Sequence, residues 1–165
     1  RSAPVQPPPA AAQVAASVEP LPIDRQAALH TMQVLQSHPG VNLTPFGGML
    51  HSNPERYLSL LNMLFERLET ALDSMEDKLR KGQVQRLFDL AHQQAGATGS
   101  MGLVECQRLL RSLEVHLHET RQGAALDTTL CASIIEQVRQ AGLDVKAAAM
   151  QPSAPAVTSN PPVTS

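Results

Sequence analysis

The sequence has no tryptophan and a single tyrosine, and valine and isoleucine are sparse beside leucine, alanine, glutamine, glutamate and arginine. That balance favours helix over sheet. Positive charge is not in excess. The formal net charge is −2, which leaves no electrostatic case for nucleic acid. No apolar run approaches the roughly 18 residues that a membrane-spanning helix needs. The two cysteines, Cys106 and Cys131, fit no closely spaced ligand set and are expected to sit reduced on helix faces rather than bridged. Proline is missing from the whole stretch between Glu55 and Gln151, although the chain has 13 of them, crowded at both ends and in an entry region at Pro39, Pro45 and Pro54. That proline-free middle holds most of the Leu, Met and Phe, and about 100 residues can bury a working core. The first residues lack the apolar core of a signal peptide, and the start at Arg1 without Met leads us to expect a fragment or processed piece.

What is present reads as a series of one-sided helices. Residues 1–22, rich in Pro, Ala and Val, are expected to be an extended linker. Residues 23–40 hold a helix capped by Asp24, with Ala28, Met32 and Leu35 on one side, stopped by His38-Pro39-Gly40. A short helix is expected over Thr44–Leu50. Asn53-Pro54-Glu55 then supplies a capping amide, a first-turn proline and an acid at the positive dipole end. The spacing predicts helices over Asn53–Lys81, Val84–Thr98, Gly102–Gln122 and Thr128–Ala141. Leu61, Leu64, Leu68, Leu72, Met75 and Leu79 form the first stripe and Leu103, Cys106, Leu110, Leu113 and Leu117 the third. Ser100 is expected to cap the third helix and Asp127 the last, with Leu130, Ile134 and Val138 apolar and Gly142 beyond its end. Short links between such helices predict an all-α, antiparallel four-helix bundle over residues 41–146, with an additional N-terminal helical segment and disordered tails, the second over residues 147–165.

The stretch that stands out is Leu87 to Gly102, L-F-D-L-A-H-Q-Q-A-G-A-T-G-S-M-G. At about 100° per residue, Leu87, Phe88, Ala91 and Ala95 share the buried side, while His92, Gly96 and Gly99 lie along its edge. Glycine inside a helix costs roughly 1 kcal/mol against alanine, and close approach of a macromolecule to the ring is a reason to bear it. Other chemistry lacks its residues. His116 and His118 point about 200° apart on a helix, and neither H-E-x-x-H nor C-x-x-C occurs, so no metal is expected. There is no G-x-S-x-G, no base for Cys106 and no G-x-x-x-x-G-K loop, so neither a hydrolase nor a nucleotide cofactor is expected. The cluster Lys78, Arg80, Lys81 and Arg86 reads as a solvated helix end. What remains is a histidine that carries a phosphoryl group, since a neutral imidazole nitrogen is nucleophilic near neutral pH.

Here the sequence resembles the histidine-containing phosphotransfer (HPt) domain of bacterial multistep phosphorelays, whose pattern is roughly A-H-x-L-K-G-(S/A)-A-x-x-(I/V/L)-G-(A/L). Ala91-His92, Gly96, Ala97 and Gly99-Ser100-Met101-Gly102-Leu103 match it, as does the later Leu113-Glu114. Gly48-Met49-Leu50, the run Asn53 to Leu58 and Leu61 through Phe65 look like the family's entry segment. The resemblance covers about Val41 to Gly142. Gln94 stands where the family has leucine and Ala95 where it has lysine. The resemblance implies a four-helix bundle with His92 projecting from its middle and phosphate exchanged with the aspartate of a response-regulator receiver domain. It implies no cofactor and no kinase ATP site. Such modules often end hybrid sensor kinases, so the other domains of a sensor kinase are expected partners, the setting is cytoplasmic and the chain monomeric. Gln85, Asp89, Gln93 and Gly96 are expected to form the docking contact, with Ala95 and Gly99 counted among the close-approach positions. Asp89 is a candidate to orient the ring. The alternative is a helical module that docks a receiver without transferring phosphate, suggested by Ala95 in place of lysine.

Overall fold

The computed structural model describes residues 24–150, apart from the side chains of Met49 and His51. The expected linker at 1–22 and residues 151–165 of the expected tail lie outside the described residues. The elements in order are α1 (Arg25–Gln36), a 3₁₀ turn (Thr44–Phe46), α2 (Gly47–Ser52), α3 (Pro54–Arg80), α4 (Val84–Ser100), α5 (Val104–Arg121) and α6 (Thr128–Ala149). The described residues contain no strand.

The helix starts follow local chemistry. The Asp24 carboxylate accepts from the Gln26 amide at 3.2 Å, the Asn53 side chain from the Arg56 amide at 3.1 Å and the Asp127 carboxylate from the Leu130 amide at 2.9 Å, each filling an N–H that its helix leaves open. At the far end of α3, Gly82 takes the left-handed conformation at φ +66°, and the next amide, that of Gln83, donates back to the Lys78 carbonyl at 2.9 Å. Lys78, Arg80 and Lys81 there gather on the Asp77 carboxylate, and the Lys81 ammonium chiefly holds that carboxyl below its usual range.

Each of α3 to α6 packs against its neighbours in sequence, and α6 returns to α3, which closes the bundle. The contact between α4 and α5 is the most extensive, and α1 lies across α3 and α6. The predicted stripes form the interior. Leu61, Leu72 and Met75 of α3, Leu87 of α4, Leu110, Leu113 and Leu117 of α5, and Ile135 and Val138 of α6 are essentially fully buried. At roughly 1.5–3 kcal/mol for each large aliphatic side chain removed from water, this interior is what holds the helices together.

Two expectations fail for tertiary reasons. Ser100 does not cap α5. It is the last residue of α4, and its hydroxyl donates back to the Ala97 carbonyl at 2.8 Å. The turn is made instead by Gly102 at φ +81°, where an added Cβ would stand 2.6 Å from the Asn42 carbonyl oxygen. Gly142 does not lie beyond the last helix. It is buried within α6, where a Cβ would stand in ordinary van der Waals contact, 3.4 Å from Leu68 Cδ2 of α3, and α6 continues eight residues past Ala141. Arg139 of α6 fastens the same contact, reaching Asp73 at 3.1 Å and Glu76 at 2.8 Å on α3. Of the apolar residues at the start of α6, Leu130 is 43 % exposed and its neighbour Cys131 is fully buried.

The α4–α5 turn is pinned from two sides. The Asn42 amide donates to the Gly102 carbonyl at 2.8 Å, and the Tyr57 hydroxyl of α3 donates to the Met101 carbonyl at 2.7 Å. Burial pushes the Tyr57 phenol up from 10.0 to about 12. An acid raised in the fold keeps its proton after the unfolded chain has released it, so stability falls as pH rises through the window from about 10 to about 12. The thiols of Cys106 and Cys131, pushed up to about 11, add their own alkaline loss. Tyr57→Phe should cost about 1 kcal/mol at neutral pH through the lost hydrogen bond. In urea unfolding at stepped pH, the native advantage over the variant should shrink across the phenol's window. A gap that stays constant would contradict the linkage.

Candidate functional site

His92 is carried on the middle of α4, on the edge turned toward α5, and its side chain is 67 % exposed. Its ring is nonetheless held. Nδ1 lies 2.6 Å from Oε1 of Glu114, which projects from α5 and is 7 % exposed as a residue. The second oxygen of that carboxylate, Oε2, accepts from Nη1 of Arg111 at 2.8 Å. The same Nη1 is 3.5 Å from Nδ1 of His92. A carboxylate only accepts, so Nδ1 is the nitrogen that carries the proton, and the lone pair of the neutral ring belongs to Nε2. One turn earlier Phe88 lies parallel to the imidazole, with centroids 6.2 Å apart and 6° between the planes, and the Arg121 guanidinium lies over the Phe88 ring at 4.9 Å from its centroid.

The surface beside the ring is low and polar. Gln85, Asp89, Gln93 and Gly96 are all exposed on α4, within about 100° of arc from His92. Beyond its chain neighbours and its own helix backbone, nothing lies within 4 Å of where a Gly96 Cβ would stand, so the space over the backbone one turn from the ring is open. Two of the expected close-approach positions are corrected. Ala95 is fully buried on the inward face of α4, one turn beyond the equally buried Ala91. Gly99 does make room, but for the amide end of Gln107 from α5, which fills the space a side chain would take. Gln94 is also turned inward, 8 % exposed, and its Oε1 has no hydrogen-bond partner. It lines a groove between α3 and α4 bordered by Leu60 and Met63, which are 44 % and 47 % exposed.

Asp89 does not orient the ring. Its carboxylate accepts from Gln85 Nε2 at 2.9 Å, one turn back on its own helix. The orienting group is Glu114, present in the Leu113-Glu114 match but given no role from sequence. A signal for it existed: Glu114 stands four residues after Leu110 and three before Leu117, a charge set into an apolar stripe. Arg111, three residues before it, carried no such mark. Of the other histidines, His116 accepts from the Asp127 amide at 3.3 Å and steadies the loop before α6, while His118 is exposed.

Fold and site together define an all-α bundle that presents one exposed histidine anchored through a buried carboxylate. The Hpt domain family model matches residues 59–147, which span α3 from its second turn through most of α6, and the chain belongs to that family. Hpt domains act in phosphotransfer within phosphorelays, where they interact with receiver domains. No curated protein and no solved structure matched the chain.

If Glu114 sets the tautomer, nitrogen-detected NMR of the neutral ring in alkaline buffer should place the His92 proton on Nδ1. Glu114→Ala should move the proton toward Nε2, the tautomer a free imidazole prefers. An unchanged spectrum in the variant would mean that the 2.6 Å contact does not govern the ring.

Proposed function

We propose that the chain is a phosphoryl carrier in a bacterial two-component multistep phosphorelay, and that His92 accepts phosphate from, and returns it to, the aspartates of receiver domains. The observation that carries this reading is the pairing of Nδ1 with the buried Glu114 carboxylate beneath an exposed ring. It leaves Nε2 as the nucleophile. In the forward step the Nε2 lone pair attacks the phosphorus of the receiver's acyl phosphate. The new bond is N–P, the bond that breaks is P–O, and its electron pair stays on the receiver's carboxylate. Nδ1 keeps its proton, so the ring becomes cationic, and the Glu114 carboxylate stabilises that charge as it develops. The reverse step returns the phosphoryl group by the same path. The chain serves as an intermediate rather than an autonomous enzyme, and the receiver and a sensor kinase supply the remaining machinery.

The face formed by Gln85, Asp89, Gln93 and Gly96 is the docking contact in this reading, since it surrounds the ring and carries no large side chain over Gly96. The exposed Leu60 and Met63, across the groove from Gln93, extend it with apolar surface of the kind that partners cover. Among the described residues no helix is long and apolar enough to cross a membrane. We place the chain in the cytoplasm as a monomeric module of a hybrid sensor kinase. The docking-only alternative is motivated by the absence of a cation at Ala95.

The test is incubation with a panel of receiver domains charged with acetyl phosphate. The native chain should acquire an alkali-stable, acid-labile label, and His92→Gln should acquire none while keeping its helical spectrum. Gly96→Leu, which has open space to enter, should fold normally and lose transfer by at least about tenfold through steric exclusion. Labelling of the His92→Gln protein at the native rate would refute the assignment. Receiver binding by a native chain that is never labelled would establish the docking-only module.

A further inference from the structure

Phosphoryl transfer concentrates negative charge where α4 itself offers no relief. From Phe88 to Gly96, one turn to either side of His92, the helix carries no basic residue, and Asp89 adds a negative one. Glu114 beneath the ring is a second carboxylate. A cation supplied by this chain would come from a neighbouring helix; Arg67 of α3 lines the groove on the Gln93 and Gln94 side. Arg108 is engaged in two contacts with Glu105, at 3.0 and 2.6 Å, and Arg121 lies on Phe88. Arg111 of α5 is differently placed. Its Nη1 is 2.8 Å from Glu114 Oε2 and 3.5 Å from His92 Nδ1, and its side chain is 47 % exposed.

From these contacts we infer that Arg111 is a second functional residue of the site, the guanidinium that binds the phosphoryl oxygens as the group arrives on and leaves Nε2. The inference rests on the proposed role of His92. A guanidinium has five N–H donors in a planar fork, matched to the oxygens of a phosphoryl group. The acceptor that the described residues give Arg111 is Glu114, and Nη1 serves it. Nδ1 of His92 is itself a donor when it bonds Glu114, so the 3.5 Å approach of Nη1 is proximity rather than a hydrogen bond. The Nε and Nη2 donors have no acceptor among the described residues, on a side chain that is half-exposed and whose Nη1 is 3.5 Å from the Nδ1 edge of the ring. Glu114 thus holds Arg111 at the ring edge before the phosphoryl group is present. In transfer the N–P bond forms at Nε2 as the donor's bond to phosphorus breaks, and the leaving group keeps the electron pair. Arg111 donates hydrogen bonds throughout and exchanges no proton. A cation so placed favours the transferring group over the resting ring.

The inference is tested without a partner by phosphorylating the full chain with phosphoramidate, from which ammonia leaves, and following the phosphohistidine signal by phosphorus NMR. Arg111→Ala and Arg111→Gln should slow labelling of His92 by about tenfold, and Arg111→Lys should restore most of the rate. The deciding comparison is made in a Glu114→Gln background. A residue that contacts the phosphoryl group should still slow the reaction when removed there. Loss of the Arg111 effect in that background would show that it acts only by holding Glu114 and would overturn the inference, as would a native rate in both Arg111→Ala and Arg111→Gln. Failure of the native chain to be labelled at His92 would instead bring down the parent reading, and this one with it.

Discussion

A carboxylate taken out of water must have its oxygens filled, and Glu114 fills them with one donor from its own helix, α5, and one from α4. Arg111 serves Oε2 and His92 serves Oε1. Stripping a partner from a buried charge costs on the order of 3 kcal/mol when both groups are buried, and less here because His92 is exposed. The pair therefore favours one register of α4 against α5 and one orientation of the imidazole at the same time. The rest of the bundle can be understood as what makes that register available. Leu110, Leu113 and Leu117 pack beside Glu114 on the inner side of α5, and Ala91 and Ala95 keep α4 thin enough for α5 to lie close. The turn joining the two helices is set by the left-handed Gly102 and fastened by Asn42 and Tyr57.

Function asks for two properties that usually conflict. A side chain that is easily reached is usually free to rotate, and one that is held is usually buried. The structure separates them between the two edges of one ring. The Nδ1 edge is tied to a buried acceptor, while the side chain as a whole remains 67 % exposed. Holding the ring by one nitrogen reduces the rotational freedom that must be lost in transfer, which is the entropic part of any such step. The backbone at Gly96, one turn on, leaves the space beside the ring open.

Much of this was legible in the sequence, and the parts that were not share a cause. Asp24, Asn53 and Asp127 cap as their side chains predict because capping is settled within three residues. The leucine stripes of α3 and α5 are buried because a helical period survives packing. Ser100 and Gly142 carry local start and stop signals that the assembled bundle does not follow: the turn is made by Gly102 against Asn42, and Gly142 is packed inside α6 beside Leu68. Ala95 and Gly99 lie near the ring in sequence, but Ala95 is turned inward beside Ala91 and Gly99 accommodates Gln107. Asp89 was the nearest acid along the chain. The acid that touches the ring is 22 residues away, and only the pairing of α4 with α5 brings it there.

The central claim is that Glu114 holds Nδ1 so that Nε2 of His92 is the atom that takes the phosphoryl group. The most direct measurement is phosphorus–nitrogen correlation NMR on the chain labelled with nitrogen-15 and phosphorylated by phosphoramidate. The account predicts a single phosphohistidine, at His92, with phosphorus coupled to Nε2 and the proton retained on Nδ1. Phosphorus on Nδ1, or on any other residue, would contradict it.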